Sequence, residues 1–230
     1  MHRHHPGSRS GILPELRGGS AALEWPVNVA ETCTNTRALG PGLRAVVWVQ
    51  GCPFRCAGCI APDWIPLRDA RWVAAADLAA ELLADPGVTG LTFSGGEPMD
   101  QARGLARVIR CAREQRDLSL ICFTGYRLAE LRKRPAESGI PSLLGQTDVL
   151  IDGRYVAARN DDRGLRGSTN QQIHYLTGRL AGSDLAAWPR RSEIRLRARS
   201  VLLAGIPDAR TAAVFARLPG ERPNSERPRQ

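Results

Sequence analysis

The stretch Cys52-Pro53-Phe54-Arg55-Cys56-Ala57-Gly58-Cys59 constrains this chain more than any other. Its three cysteines stand at C-x3-C-x2-C spacing, directly after a β-branched and aromatic run, Val46-Val47-Trp48-Val49-Gln50. A strand is therefore predicted to end at Gly51 and deliver the chain into a cysteine loop. Three thiolates on one loop can hold three irons of a cubane cluster and leave the fourth iron without a protein ligand. Structural zinc wants four closed ligands, usually as two separated pairs. No second pair stands here, because Cys33, Cys111 and Cys122 are scattered singles. A disulfide framework belongs to small secreted domains, whereas this chain has 230 residues and opens on a polar stretch with no apolar signal core. The spacing favours an iron–sulfur cluster over both alternatives.

Six cysteines, with the trio kept as thiolates, suit a reducing cytoplasm. No apolar run reaches the length needed to span a bilayer, so no membrane partner is expected. The net charge of +9 would permit a nucleic-acid or acidic partner. That charge is carried almost wholly by arginine, Lys133 being the single lysine. No basic run carries interleaved aromatics, so nucleic acid is not an expected partner.

Along the chain, residues 1–20 are rich in Gly, Ser, Pro, Arg and His and are predicted to be a disordered tail. Residues 21–205 form the predicted domain. Residues 206–230, with Pro219, Gly220, Pro223 and Pro228 among charges, are predicted to be a mostly disordered C-terminal tail. Trp25 to Ala30 reads as a first edge strand, since Pro26 is confined to an edge or a strand start. After the cysteine loop come a helix over Ala74–Leu83, a strand over Val88–Phe93, a helix over Gln101–Arg116, and a strand over Leu118–Phe123. A helix over Leu128–Arg134 and a strand over Asp148–Ile151 follow. Asn160 to Gln172 is a polar loop, and a late strand is predicted over Glu193–Leu203. This rhythm predicts an α/β fold with a mostly parallel sheet and outer helices. Each strand ends in polar residues: Ser94-Gly95-Gly96-Glu97, Thr124-Gly125-Tyr126 and Asp152-Gly153-Arg154. The carboxyl edge of such a sheet is where ligands bind.

Cys52, Cys56 and Cys59, followed by Ser94-Gly95-Gly96-Glu97-Pro98, resemble the radical S-adenosylmethionine (SAM) superfamily. Gly40-Pro41-Gly42-Leu43-Arg44 resembles the activating enzymes of glycyl-radical enzymes. Thr124-Gly125-Tyr126-Arg127-Leu128, Val149-Leu150-Ile151-Asp152-Gly153-Arg154-Tyr155 and Arg166-Gly167-Ser168-Thr169-Asn170-Gln171 together resemble the activating protein of anaerobic ribonucleoside-triphosphate reductase. The likeness runs from about Val27 to Leu176. It implies a partial (β/α) barrel, a [4Fe-4S] cluster on the three cysteines, and SAM chelated at the open iron. It also implies reductive cleavage of SAM to methionine and a 5′-deoxyadenosyl radical. The implied partners are a glycyl-radical enzyme and an electron donor such as flavodoxin or ferredoxin. The cofactor carries the reactivity, so no side chain beyond the cluster ligands is expected to be catalytic.

The same resemblance supplies cofactor contacts. Gly95 and Gly96, beside Ser94, let the backbone approach a ligand, and Glu97 can accept from the SAM ammonium group. Arg154 can pair bidentately with the SAM carboxylate. Asp152 is expected to orient Arg154 or to cap a backbone turn. Thr124 and Ser168 are further candidate contacts, and Asn170 and Gln171 serve the pocket or the partner surface. His174 is expected to be structural, Cys33, Cys111 and Cys122 to be small buried hydrophobes, and Trp48, Met99 and Tyr126 to pack. Much of the superfamily carries an aromatic where Gly58 stands, although the reductase activator resembles this chain there. Residues from about Thr177 to Leu203 exceed the minimal activator. Two other functions are compatible with parts of this pattern. One directs the radical at a small molecule or peptide. The other is a non-catalytic iron–sulfur electron carrier, which would prefer a fourth ligand and would not need Gly95-Gly96-Glu97.

Overall fold

The computed structural model describes residues 25–196 and 200–217. The tail expected over residues 1–20, and the part of the C-terminal tail beyond 217, lie outside the described residues. The strands are β1 (Val27–Thr36), β2 (Arg44–Val49), β3 (Arg71–Val73), β4 (Gly90–Gly95), β5 (Ser119–Thr124), β6 (Val149–Asp152), β7 (Gln172–Tyr175), β8 (Ser192–Leu196) and β9 (Val201–Gly205). The helices are α1 (Ala75–Leu82), α2 (Ala102–Gln115), α3 (Leu128–Leu131), α4 (Ile140–Leu144) and α5 (Ala209–Arg217).

Seven strands form one sheet in the order β3-β1-β2-β4-β5-β6-β7. The central run β2, β4, β5 and β6 is parallel. Strands β1, β3 and β7 are antiparallel to their neighbours. The predicted α/β class with a mostly parallel sheet is therefore present. One detail differs. Strand β1 is not the edge, because the short β3 pairs beyond it. Pro26 precedes the first paired residue, Val27, where a missing N–H costs no ladder bond.

The sheet is buried on both faces, as its unbroken apolar runs require. On one face, Val47, Phe93, Leu120 and Leu150 meet Leu78 and Leu82 of α1 and Leu105 and Ile109 of α2. The i, i+4 spacing of those helical residues is what turns one apolar stripe to the sheet. On the other face, Val46, Trp48, Ile121, Val149 and Ile151 meet Leu165, Leu185, Leu202, Ala204 and Ile206. The chain after β7 thus supplies much of the second core. The single late strand expected over Glu193–Leu203 is instead an antiparallel pair, β8 and β9. Residues 209–217, placed in a tail by the sequence, form α5; the proline and glycine that signal disorder begin only at Pro219. Cys33, Cys122 and Met99 are buried, and Cys111 packs against the helix-covered core.

Arg44 is fully buried at the start of β2. Its guanidinium donates to Thr92 Oγ1 at 2.7 Å, Ser119 Oγ at 3.0 Å and the Pro41 carbonyl at 3.2 Å, tying β2 to β4 and β5. Burial lowers its pKa to about 9. Among the described residues no helix is long and apolar enough to cross a membrane.

Candidate active site

Parallel register aligns the strand ends. Val49 stands opposite Gly95, Phe93 opposite Cys122, and Thr124 opposite Asp152. A cavity of about 580 Å³ opens at this carboxyl edge. Cys52, Cys56, Cys59, Ser94, Gly95, Gly96, Glu97, Thr124 and Arg154 all line it. Residues up to 102 positions apart need such an edge to meet, and nine of the ten candidate residues do meet there. Ser168 does not.

The cysteine loop is closed at its neck. The Gly51 N–H donates to the Trp64 carbonyl at 2.9 Å and the Cys52 N–H to the Ile65 carbonyl at 3.0 Å. Trp64 packs on Trp48 with ring centroids 5.4 Å apart. Within the loop, Phe54 meets the Tyr126 ring edge-on at 4.7 Å, and the Arg154 guanidinium lies 4.4 Å from its ring centroid. A Cβ on Gly125 would stand 2.4 Å from the Phe54 ring. Phe54 and Gly125 therefore dock the loop on the end of β5. The sequence flagged neither; the aromatic between two cysteines was the available signal, but its partner lies more than 70 residues on.

All three loop cysteines are free thiols. Burial pushes the Cys52 thiol up to about 12, with Glu97, Cys59 and Cys56 adding to it. Burial likewise raises Cys59. A bound cation reverses this by stabilising the thiolates. Among the described residues no three His, Cys, Asp or Glu side chains gather closely enough to hold a single ion. Structural zinc requires such convergence, whereas a cubane offers each thiolate its own iron. Among the described residues, Cys33, Cys111 and Cys122 stay away from the cavity. The donor set is thus three soft thiols with no fourth, which fits a cluster with one open corner.

Gly95 and Gly96 were expected to admit a ligand. The structure gives them a nearer partner in the chain itself. Gly95 has φ +104, and a Cβ on it would lie 2.4 Å from the Val49 nitrogen. A Cβ on Gly96 would lie 2.2 Å from the Gly51 carbonyl oxygen. The Gly96 N–H donates to the Val49 carbonyl at 2.7 Å and the Glu97 N–H to the Gly51 carbonyl at 2.8 Å. The turn after β4 is thereby fastened to the residue that opens the cysteine loop.

Glu97 is buried. Its Oε1 accepts from the Met99 N–H at 2.9 Å and the Thr124 hydroxyl at 2.8 Å, and its Oε2 from the Gly125 N–H at 2.8 Å. Burial nevertheless dominates and pushes the carboxyl from 4.5 up to about 7, against those three donors. The folded chain therefore holds this proton more tightly than the unfolded one. The resulting stabilisation is complete below about pH 4.5 and is lost as pH rises through about 7. Between about pH 4.5 and pH 8, wild type should lose up to roughly 3 kcal/mol more stability than Glu97→Gln. Urea denaturation at both pH values reads the difference; matching pH dependences would show that the carboxyl is not so perturbed.

Asp152 does not orient Arg154. Its carboxylate, buried at the end of β6, accepts from Arg127 Nη1 at 3.1 Å and the Leu128 N–H at 2.7 Å, and pairs with His174 Nε2 at 3.0 Å. It thereby holds the first N–H of α3 and the His174 ring. Arg154 instead points its guanidinium over Phe54. Ser168 is fully buried, its hydroxyl accepting from the Val156 N–H at 3.1 Å. That bond makes Ser168 a support of its own loop, away from the cavity lining. Gln171 donates to the Gly153 carbonyl and Asn170 to the Arg154 carbonyl, both at 2.8 Å. These amides hold the loop that carries Arg154.

Residues 38–174 match the family described as a 4Fe-4S single cluster domain. The chain is 36% identical over 149 residues to an anaerobic ribonucleoside-triphosphate reductase-activating protein of Vibrio cholerae, covering 60% of this chain and 91% of that protein. It is 30% identical over 146 residues to the protein of the same name in Escherichia coli, with 60% and 91% covered. It is 32% identical over 138 residues to the pyruvate formate-lyase-activating enzyme of Clostridium pasteurianum, covering 57% of this chain and 52% of that enzyme.

Proposed function

This chain belongs to the radical SAM activating family, a 4Fe-4S single-cluster family of enzymes that activate glycyl-radical enzymes, and from that premise we propose that it cleaves SAM and passes the radical to a glycine of a partner protein. The observation that carries this is the cavity wall itself. Cys52, Cys56 and Cys59 share it with the strand ends of β4, β5 and β6. In this proposal the three thiolates hold three irons of a [4Fe-4S] cluster, and SAM takes the fourth. A reduced cluster held there would supply the electron for cleavage of the sulfonium C–S bond to methionine and a 5′-deoxyadenosyl radical.

The residues of this chain bind, orient and shield. A carboxylate has about four acceptor sites, and Glu97 has three filled, leaving one on Oε2 for the SAM ammonium. Thr124 fixes that carboxylate through its hydroxyl. The backbone of Ser94, Gly95 and Gly96 forms the floor. Arg154 meets the SAM carboxylate, with Phe54 beneath its guanidinium. Ser168, Asn170 and Gln171 hold the loop that carries Arg154, and Asp152 holds Arg127 and the start of α3. The parallel strands form the wall of a partial (β/α) barrel within residues 21–205. A reducing cytoplasm and a low-potential donor such as flavodoxin or ferredoxin complete the proposal.

Anaerobic reconstitution with iron, sulfide, SAM and dithionite tests it. 5′-Deoxyadenosine should form; a fully loaded cluster that yields none would mark an electron carrier instead. Arg154→Ala should weaken SAM binding by ~1.5–3 kcal/mol, the size of a lost charge-assisted hydrogen bond. Equilibrium dialysis measures this, and an unchanged dissociation constant would remove Arg154 from the pocket.

A further inference from the structure

The family match ends at residue 174, and the Vibrio cholerae relative pairs along 91% of its own length with only 60% of this chain. The segment after β7 is thus an addition to the matched region. It crosses the second face of the sheet as a strap, anchored near both edges. On the β7 side, the Tyr175 hydroxyl accepts from the Leu185 N–H at 3.0 Å and donates to the Ser183 carbonyl at 2.6 Å. The Arg190 guanidinium donates to the Arg166 carbonyl at 2.6 Å. On the β1 side, Arg195 donates to Asn35 Oδ1 at 2.8 Å, and the Glu193 carboxylate accepts from the Arg37 N–H at 2.8 Å.

Between these anchors the strap buries Leu185, Leu202, Ala204 and Ile206 against β2, β5 and β6. It is therefore part of the packed core. At Gly205, with φ +123, the chain turns toward Pro207 and α5; a Cβ there would stand 2.3 Å from the Arg191 carbonyl oxygen. Asp208 starts the helix, its carboxylate accepting from the Thr211 N–H at 2.6 Å. Ala212 and Phe215 of α5 then line the same cavity as the three loop cysteines.

We propose that α5, fixed by this strap, is the wall that selects the radical acceptor, with Ala212 and Phe215 as specificity-determining residues. This rests on the function proposed above, in which the radical forms in that cavity. A cavity of about 580 Å³ is the size that holds one small ligand.

Two full-length variants with opposite effects test the wall. Phe215→Ala opens it and Ala212→Trp fills it. Before iron is added, Cys52, Cys56 and Cys59 are labelled anaerobically with iodoacetamide and with a polyethylene-glycol maleimide, and the sites are mapped by mass spectrometry. The ratio of bulky to small reagent rates cancels differences in thiol reactivity. Phe215→Ala should raise that ratio about tenfold and Ala212→Trp lower it about tenfold, since access as well as thiolate character governs cysteine labelling. Ratios unchanged in both variants would overturn the wall. After cluster loading, Ala212→Trp should keep its SAM dissociation constant within about twofold of wild type. A tenfold loss would assign α5 to the cofactor and overturn its role toward the acceptor. If the loaded wild type forms no 5′-deoxyadenosine, the proposed function fails, while the labelling ratios still decide the wall.

Discussion

Cys56→Ala is expected to abolish 5′-deoxyadenosine formation while shifting unfolding stability by less than about 1 kcal/mol, as at surface positions outside a core. The two halves of this expectation have separate causes. Cys56 sits in a loop, is only half-buried, and belongs to neither apolar core. Its one backbone bond, from the Cys59 N–H to its carbonyl at 3.1 Å, survives the change to alanine. The fold therefore loses little. In the proposed function the cluster loses a ligand that none of the remaining cysteines can replace, because they stand away from the cavity. Cys111→Ala is the control: its side chain packs against the helix-covered core, and cleavage should proceed at the wild-type rate. The measurement is deoxyadenosine by chromatography on equally iron-loaded protein, with urea denaturation alongside. Cleavage by Cys56→Ala at the wild-type rate would place the cluster elsewhere.

Gly96→Ala should destabilise the chain by about 3 kcal/mol or more, at the upper end of what forcing extra volume into a packed site costs. The added methyl would overlap the Gly51 carbonyl group, at 2.2 Å from its oxygen and 2.7 Å from its carbon. Those are backbone atoms, and two short hydrogen bonds from Gly96 and Glu97 hold the two segments together. No rotamer change can relieve the clash. The turn after β4 must part from the cysteine loop, and the cavity floor goes with it. Gly145→Ala offers a contrast, since its Cβ would meet only the Pro141 and Ser142 carbonyl oxygens of the α4 turn, at 3.3 and 3.8 Å. Chemical denaturation should show the large loss at Gly96 and a small change at Gly145. Equal, small effects would mean that the two strand ends are not fastened as described.

Much of this architecture is legible in the residues because the central strands are β-branched runs that stop at glycine and polar residues. Val46 to Val49, Leu91 to Phe93 and Leu120 to Cys122 declare themselves, and their ends declare the edge where a ligand sits. The partners of those ends are not legible. Gly96 reads as a place for a ligand until Gly51, far back in the chain, is seen against it. Asp152 reads as a neighbour for Arg154, two residues on, but the turn at Gly153 sends its carboxylate to Arg127 and Leu128. Gly153 has φ +103, which only a glycine takes easily. Strands β3 and β7 are short, with three and four residues, too few for alternation to show. The strap reads as a single strand with a charged tail because its apolar residues answer to a sheet face that the sequence does not draw. Leu185, Leu202 and Ile206 make sense only against Val46, Trp48 and Ile151.

The proposed function requires a cluster corner that no cysteine of this chain fills. Electron paramagnetic resonance of the anaerobically reconstituted, dithionite-reduced protein, recorded before and after SAM is added, addresses that corner directly. An open corner should give a cluster signal whose shape and position change on SAM addition in wild type. A cluster signal that SAM leaves untouched at saturating concentration would contradict it.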